Sequence, residues 1–232
     1  MQAEPASCPR PSNRWLVASI PDFVGLLSGG HLAVAADAVR RRLHQDSTSV
    51  GLRRDVSLPG DAPPAKIALQ VRPLRPEDNL SFLDLHRPGI SGREIPFLLA
   101  ERRLLKAALG TCWLALAPGE RICFVGWLIP ASSNALVQRH FGDLFPRLEQ
   151  DEVLLEGLLT LPPDRGQGIM THALARMVAA ARRQGARSAI AFVESTNTAS
   201  LRGFQRAGFA PYAMRHERWR LLRRRVAFET LA

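Results

Sequence analysis

The chain has 232 residues, of which 46% are hydrophobic, and this size and composition suffice for one packed domain with an extension. The formal net charge of +10 allows an acidic partner, but the arginines are spread along the chain without an RNA-binding motif, so nucleic acid is not the expected partner. The three cysteines lack metal-site spacing, the N-terminus lacks a secretory pattern, and the apolar runs are too short to span a bilayer. These features predict a cytoplasmic protein that binds no metal and does not associate with a membrane.

Residues 1–65 are predicted to form an N-terminal extension. They include a short candidate strand at 15–20, an amphipathic helix at 31–45 and the start of a proline-rich linker at residue 58. Three roles stay open for this extension: packing on a sheet, covering a substrate cleft, or mediating a homodimer.

Residues 66–232 are predicted to form one α/β domain. The pattern indicates, in chain order, a strand at 66–73, helices near Asn79 and at 94–109, strands at 111–117, 121–131 and 152–161, a helix at 168–184, a strand at 188–195, a short helix at 198–207, and strands at 212–222 and 224–231. This order is typical of a mixed sheet flanked by helices.

A glycine-rich turn, Arg165-Gly166-Gln167-Gly168, joins the strand at 152–161 to the helix that follows it. Unpaired backbone N–H groups and the helix dipole favour an anion at the start of a helix, and glycine lets the backbone approach that anion closely. Arg165 adds a positive charge. The turn alone indicates either a phosphate cradle or only a tight connection.

The run from Arg165 to Met170 resembles the R/Q-x-x-G-x-G/A loop of the GCN5-related N-acetyltransferase superfamily, and it matches the first and fourth positions of that loop. A second similarity follows in "NTASLRGFQRAGF", where Asn197, Ser200 and Phe204 occupy the family's places. "VRPLRPED", at residues 71–78, looks like the family's first strand and helix start. The resemblance covers roughly residues 66–228.

This resemblance implies a mostly antiparallel central sheet flanked by helices. It also implies transfer of an acetyl group from acetyl-CoA to an amine by direct attack in a ternary complex. The residues that it assigns to acetyl-CoA are Leu158, Leu159, Thr160, Arg165, Gly166, Gln167, Gly168, Ile169, Met170, Asn197, Ser200 and Phe204. The implied partners are acetyl-CoA and an amine-bearing acceptor.

Glu156, on the strand that leads into the glycine turn, is the candidate general base. Strand alternation predicts that Glu156, Leu158 and Thr160 share one face. A carboxylate among leucines is expected to have a raised pKa, which suits a base. Deprotonating a lysine at pH 7 costs about 4.6 kcal/mol, whereas deprotonating an α-amine costs about 1 kcal/mol. A base therefore helps a lysine acceptor far more than an α-amine acceptor. The alternative is a surface carboxylate at a strand bulge beside Gly157, and Glu194 is the second choice of base.

Two residues depart from the family pattern. Met170 stands where the family has glycine or alanine, and its side chain is expected either to crowd the pyrophosphate or to point into the core. Phe204 stands where many members have a tyrosine that protonates the departing thiolate, and phenylalanine has no proton to donate. These departures keep open a second interpretation, a CoA-binding module that is regulatory rather than catalytic.

Overall fold

The computed structural model describes residues 32–58, 62–85, 87, 90–92 and 94–231. The candidate strand at 15–20 lies outside the described residues. Within them are five α-helices and eight strands: α1 (Leu32–Leu43), β1 (His44–Asp55), β2 (Gln70–Pro73), α2 (Ile95–Ala107), β3 (Thr111–Ala117), β4 (Arg121–Pro130), α3 (Asn134–Phe141), β5 (Glu152–Thr160), α4 (Ile169–Arg183), β6 (Ser188–Glu194), α5 (Thr198–Arg206), β7 (Ala210–Arg220) and β8 (Arg223–Thr230). None of these helices is both long and apolar enough to cross a membrane.

The eight strands form one sheet in the order β2-β3-β4-β5-β6-β1-β7-β8. Neighbouring strands are antiparallel except for β5 and β6, which are parallel. Apolar side chains of α2 and α3 pack on one face of the sheet, and those of α4 and α5 pack on the other. The predicted mixed, mostly antiparallel sheet flanked by helices is therefore confirmed.

Strand β1 lies within the segment predicted as an extension, yet it occupies a place inside the sheet between β6 and β7. Its sequence, HQDSTSVGLRRD, is largely polar, and its buried positions include Ser49, Gly51 and Arg54, so hydrophobic periodicity gave no signal for it. The domain boundary near residue 65 stays a prediction, and the sheet includes residues on both sides of it.

Arg215 of β7 holds this part of the sheet together from within the core, where it is 1% exposed. Its Nη2 donates to Ser49 Oγ of β1 at 3.0 Å, and its Nη1 donates to the Leu144 carbonyl at 2.9 Å. The guanidinium also lies over the Phe192 ring of β6, 5.0 Å from the ring centroid. Arg215 thus links β7 to β1, to β6 and to the segment at Leu144.

Two elements at the start of the predicted domain are shorter than expected. Strand β2 begins only at Gln70, and a 3₁₀ turn at Ser81–Leu83 replaces the helix expected near Asn79. The Asp78 carboxylate explains the second difference, because it accepts bonds from the Arg72 guanidinium and the Arg75 backbone N–H. These bonds close a turn, and the one from Arg72 contributes most to lowering the Asp78 pKa to about 2.

Helix α3 was not among the predicted elements. It has eight residues, and only Val137 and Phe141 are buried, which is too few apolar positions to define a helical period. Asn134 fixes its start, because its side chain donates to the Leu148 carbonyl and accepts from the Leu148 N–H, both at 2.9 Å.

Candidate active site

The parallel strands β5 and β6 pair at one end and separate at the other. Their register runs from Glu152 opposite Ser188 to Leu154 opposite Ile190. Beyond that point, residues 155–159 and 191–194 line a cleft between the two strands. A strand directs alternate backbone groups to its two neighbours, so the groups of β5 that face β6 open into this cleft.

Helices on both faces of the sheet complete the walls of the cleft. Helices α2 and α4 and the start of α5 supply side chains to it. These wall residues are Phe97, Ala100, Glu101, Met170, Asn197, Ser200 and Phe204.

A β-bulge at Gly157 interrupts the pairing of β5 with β4. Trp127 lies opposite Glu156, whereas Val125 lies opposite Leu159, so β5 holds one extra residue between these pairs. Gly157 has φ +61°, a conformation that favours glycine.

The bulge changes which side chains share a face. Glu156 lies beside its cross-strand partner Trp127, on the face that α2 covers, whereas Leu158 packs with the cluster under α4. The prediction that Glu156 and Leu158 share a face is therefore wrong, because one inserted residue reverses the alternation.

The Glu156 side chain is buried, with 6% exposure, and it lines the cleft. Its Oε1 accepts a bond from the Gly157 N–H at 3.0 Å. The carboxylate does lie at a strand bulge, as the alternative interpretation had it, but inside the protein rather than on the surface.

A second buried carboxyl group, Glu101 of α2, lies in the same wall and is 3% exposed. Its Oε2 accepts a bond from Trp127 Nε1 at 2.8 Å. Burial and the negative charge of Glu156 raise the Glu101 pKa to about 8, although the indole bond opposes this shift. The sequence analysis missed Glu101, whose signal is its place between Leu98 and Leu104 on the apolar stripe of α2.

The glycine turn lies just beyond the end of β5. Gly166 and Gly168 have φ of +80° and +76°, and among the described residues no heavy atom beyond the neighbouring residues lies within 4 Å of the place where a Cβ of Gly166 would stand. The backbone at Gly166 is therefore open to an approaching group. The N–H groups of the first turn of α4 have no earlier helical turn to bond, so the turn has the properties of an anion site.

Neighbouring segments hold this turn in place. Lys66 N–H donates to the Gln167 carbonyl at 2.8 Å, so the end of the proline-rich segment lies against the turn. On the other side, Arg121 makes a bidentate pair with buried Asp164, at 2.7 and 2.8 Å. Arg165 Nε donates to the Thr160 carbonyl at 3.3 Å. The turn is thus preorganised by contacts that the sequence did not indicate.

The remaining predicted residues lie at the start of α4 and along α5. Asn197 is the N-cap of α5, because its side chain accepts a bond from the Ser200 N–H at 3.1 Å. Phe204 is 2% exposed and contacts Phe209 edge-on, with ring centroids 5.0 Å apart. Met170 packs against the core cluster shared by α4 and α5, one of its two expected orientations, and also lines the cleft.

Met170 and Gly203 form a close contact between α4 and α5, because a Cβ at Gly203 would overlap Met170 Cε. Because Met170 Cε is the end of a flexible side chain, we expect Gly203→Ala to displace it at a modest cost, which offsets the gain of about 1 kcal/mol that alanine brings to a helix. Met170→Ala in the same chain removes the overlap. Urea unfolding of the two single variants, the double variant and the wild type should give a coupling of about 1 kcal/mol. Additive effects would contradict this contact.

The model of the acetyltransferase (GNAT) family matches residues 81–209, which is more than half of the chain. The chain therefore belongs to the GNAT acetyltransferase family, as the resemblance predicted. The matched region includes the bulge, the cleft and the glycine turn. No curated protein matches the chain.

Several solved structures are similar to this chain at low sequence identity. A GCN5-related glucosamine N-acetyltransferase region of a fungal multi-domain β-N-acetylglucosaminidase is 12% identical, with a TM-score of 0.55, over 79% of this chain and 22% of that one. A GCN5-related N-acetyltransferase from Sphaerobacter thermophilus is 16% identical, with a TM-score of 0.48, over 80% and 56% of the two chains. A Brucella melitensis GNAT acetyltransferase in complex with acetyl-CoA is 19% identical, with a TM-score of 0.36, over 53% and 75%.

The chain spans less than two thirds of the first solved structures that it matches, at 58%, 56% and 61% of their lengths. Among the described residues, no group of three or more histidine, cysteine, aspartate or glutamate side chains is arranged to hold a metal ion.

Proposed function

We propose that the chain is an acetyl-CoA-dependent N-acetyltransferase that transfers the acetyl group to an amine by direct attack in a ternary complex. The observation that carries this proposal is the cleft between β5 and β6, which has a buried carboxylate in its wall and the glycine turn beyond its end. The family match supports the class of reaction.

Acetyl-CoA fits the groups that line the cleft and the turn. The pyrophosphate would lie at the glycine turn, on the backbone of Gly166 to Met170 and beside Arg165. The open side of β5 at Leu158, Leu159 and Thr160 offers backbone groups to an extended amide-containing arm. Helix α5 and its N-cap, with Asn197, Ser200 and Phe204, form the opposite wall.

Glu156 would accept the proton of the attacking amine. Its place in the cleft wall, away from bulk water, suits a general base. The amine nitrogen bonds to the acyl carbon, the carbon–sulfur bond breaks, and the thiolate takes a proton from water, because Phe204 has none to donate. A thiol pKa of about 8.5 makes such a leaving group feasible without a protein acid. Much of the rate would come from holding the two reactants together.

A calorimetric titration with acetyl-CoA tests the proposed cradle. We expect the wild-type protein to bind, Arg165→Ala to bind more weakly, and Gly168→Asp to lose at least tenfold in affinity. The aspartate adds a negative charge where the phosphates would lie and a side chain to a backbone with φ +76°.

Gly185→Asp is the matched control for this titration. Gly185 also has a positive φ, +90°, and open surroundings, but it lies at the opposite end of α4. We expect it to bind acetyl-CoA as the wild type does. Equal affinities for the two aspartate variants would contradict the placement of the phosphates at the turn.

A second candidate function is binding of CoA without transfer, as in a regulatory module. The observation that favours it is Phe204, which is buried and has no proton to donate at the place where many family members have a tyrosine. This alternative predicts affinity for acetyl-CoA without release of the thiol in the presence of any amine.

A further inference from the structure

Glu101 is a buried carboxyl group that the proposed reaction leaves unused. It lies on α2, lines the cleft and is 3% exposed. Its Oε2 is fixed by Trp127 Nε1 at 2.8 Å. Its Oε1 lies 2.8 Å from the place where a Cβ at Gly157 would stand. Burying a carboxyl group costs stability unless its contacts compensate, so the contacts of Glu101 indicate its role.

Glu101 and Glu156 both lie against Gly157 and form one group with Trp127. The Gly157 N–H donates to Glu156 Oε1 at 3.0 Å, while Glu101 Oε1 fills the space that a side chain at Gly157 would need. Trp127 is the direct cross-strand partner of Glu156 and the hydrogen-bond donor to Glu101. The bulge thus brings two carboxyl groups to one wall of the cleft.

We propose that Glu101 is a positioning residue for Glu156: its neutral carboxyl group, fixed by Trp127, keeps the Glu156 carboxylate in place as the single negative charge of the pair. This inference rests on the proposed function, in which Glu156 is the base. The pair holds one proton before transfer and two after Glu156 has taken the proton of the amine. The second proton then leaves to water, and Glu101 keeps its own throughout.

The charges around Glu101 support a neutral carboxyl group at pH 7. Burial, followed by the charge of Glu156, raises its pKa to about 8 against the effect of the Trp127 bond. Cys112 of β3 is another titratable group near Glu101, and burial raises the pKa of its thiol, so it stays neutral. Two adjacent buried carboxyl groups titrate as a pair and do not ionise together near neutrality.

The other charged residues of α2 lie away from Glu101. Arg102 and Lys106 are exposed, and Arg103 lies near Arg42 and His140, whose pKa values it helps to lower. In the part of the chain that the structure describes, Glu156 is therefore the charge to which Glu101 responds.

Infrared spectroscopy of the protein without substrate tests the protonation directly. We expect a protonated-carboxyl band at pH 7 that disappears with a midpoint near pH 8, is absent from Glu101→Gln and has a shifted midpoint in Glu156→Gln. Glu217→Gln is the matched control, because Glu217 is also buried and accepts a bond from a tryptophan, Trp219 Nε1, at 2.7 Å. It should leave the band unchanged. A band that persists in Glu101→Gln, or that disappears below pH 6, would overturn the inference.

Two further measurements, on Trp127→Phe and on stability, test the same inference. Trp127→Phe removes the indole N–H and should move the midpoint above pH 8, because that bond lowers the Glu101 pKa. The free energy of unfolding gives a second readout. Folding raises the Glu101 pKa from 4.5 to about 8, so between these pH values the folded wild type holds a proton that the unfolded chain has lost. The wild type should therefore lose stability relative to Glu101→Gln as the pH rises from 4.5 to 8. A constant difference across this window would contradict the inference.

The pH dependence of acetyl transfer separates a positioning role from a structural one. With any amine that the wild type acetylates, the ratio of the Glu101→Gln rate to the wild-type rate cancels the titration of the amine. Glutamine keeps a neutral group that can accept the Trp127 bond, so we expect this ratio to be near one at pH 7 and to rise above one beyond pH 8, where the wild type loses its neutral carboxyl group. A ratio that is constant with pH would overturn the positioning role. Absence of transfer to every amine would remove the proposed reaction, and this role with it, whatever the infrared result.

Discussion

Glu156→Gln lowers the rate of acetyl transfer by about 10²- to 10⁴-fold and leaves acetyl-CoA affinity unchanged. Glutamine keeps the size of the side chain and can still accept the 3.0 Å bond from the Gly157 N–H, but it cannot take a proton. The loss should be greater for an amine of pKa near 10 than for one near 8, because the more basic amine depends more on a base.

Steady-state rates of thiol release, measured beside a calorimetric titration, give both quantities for this variant. Glu217→Gln serves as the control, since it removes a buried carboxylate from β7 and should change neither quantity. Equal rates for Glu156→Gln and the wild type would show that water alone takes the amine proton. Lost affinity in Glu156→Gln would show instead that the substitution disturbs the cleft.

Gly157→Ala is expected to lower the free energy of unfolding by about 3 kcal/mol, the sum of left-handed strain and overlap. The backbone has φ +61°, and the added Cβ would lie 2.8 Å from Glu101 Oε1 and equally close to Leu104 Cδ1 and Trp127 Cδ1. The same overlap moves the two carboxyl groups apart, so transfer should also fall.

Gly119→Ala isolates the strain from the overlap. Gly119 has φ +77° in the hairpin between β3 and β4, and in the described part of the chain nothing beyond its neighbours lies within 4 Å of its Cβ position. Its expected cost is about 1–2 kcal/mol, with normal rates of transfer. Urea unfolding of both variants measures the difference, and equal losses would contradict the close packing at the bulge.

The sequence was most informative where a local pattern determines the structure. The apolar runs of β3 to β6 and the amphipathic face of α4 are properties of neighbouring residues, and the predicted mixed sheet was confirmed. The glycine turn was found because strand, glycine and helix follow one another in the chain. The family was found through the same turn together with Asn197 and Phe204, and the family match confirmed it.

What the sequence did not show depends on contacts between distant residues. Strand β1 is polar and is stabilised by two neighbours, β6 and β7, that lie more than a hundred residues later. The bulge at Gly157 is defined only by its pairing with β4, and it reversed the predicted face of Glu156. Glu101 meets Trp127 through tertiary packing, so its place in the cleft was invisible from spacing. The roles assigned to the acetyl-CoA residues and to Glu156 remain predictions.

The most direct test of the proposed acetyl transfer is to incubate the wild-type protein with acetyl-CoA and a panel of amines, and to measure free thiol and acetylated product together by mass spectrometry. We expect at least one amine to yield thiol and N-acetylated product in equal amounts, and thiol release to require the amine. Tight binding of acetyl-CoA without thiol release for any amine in the panel would contradict this expectation and would favour the non-catalytic module.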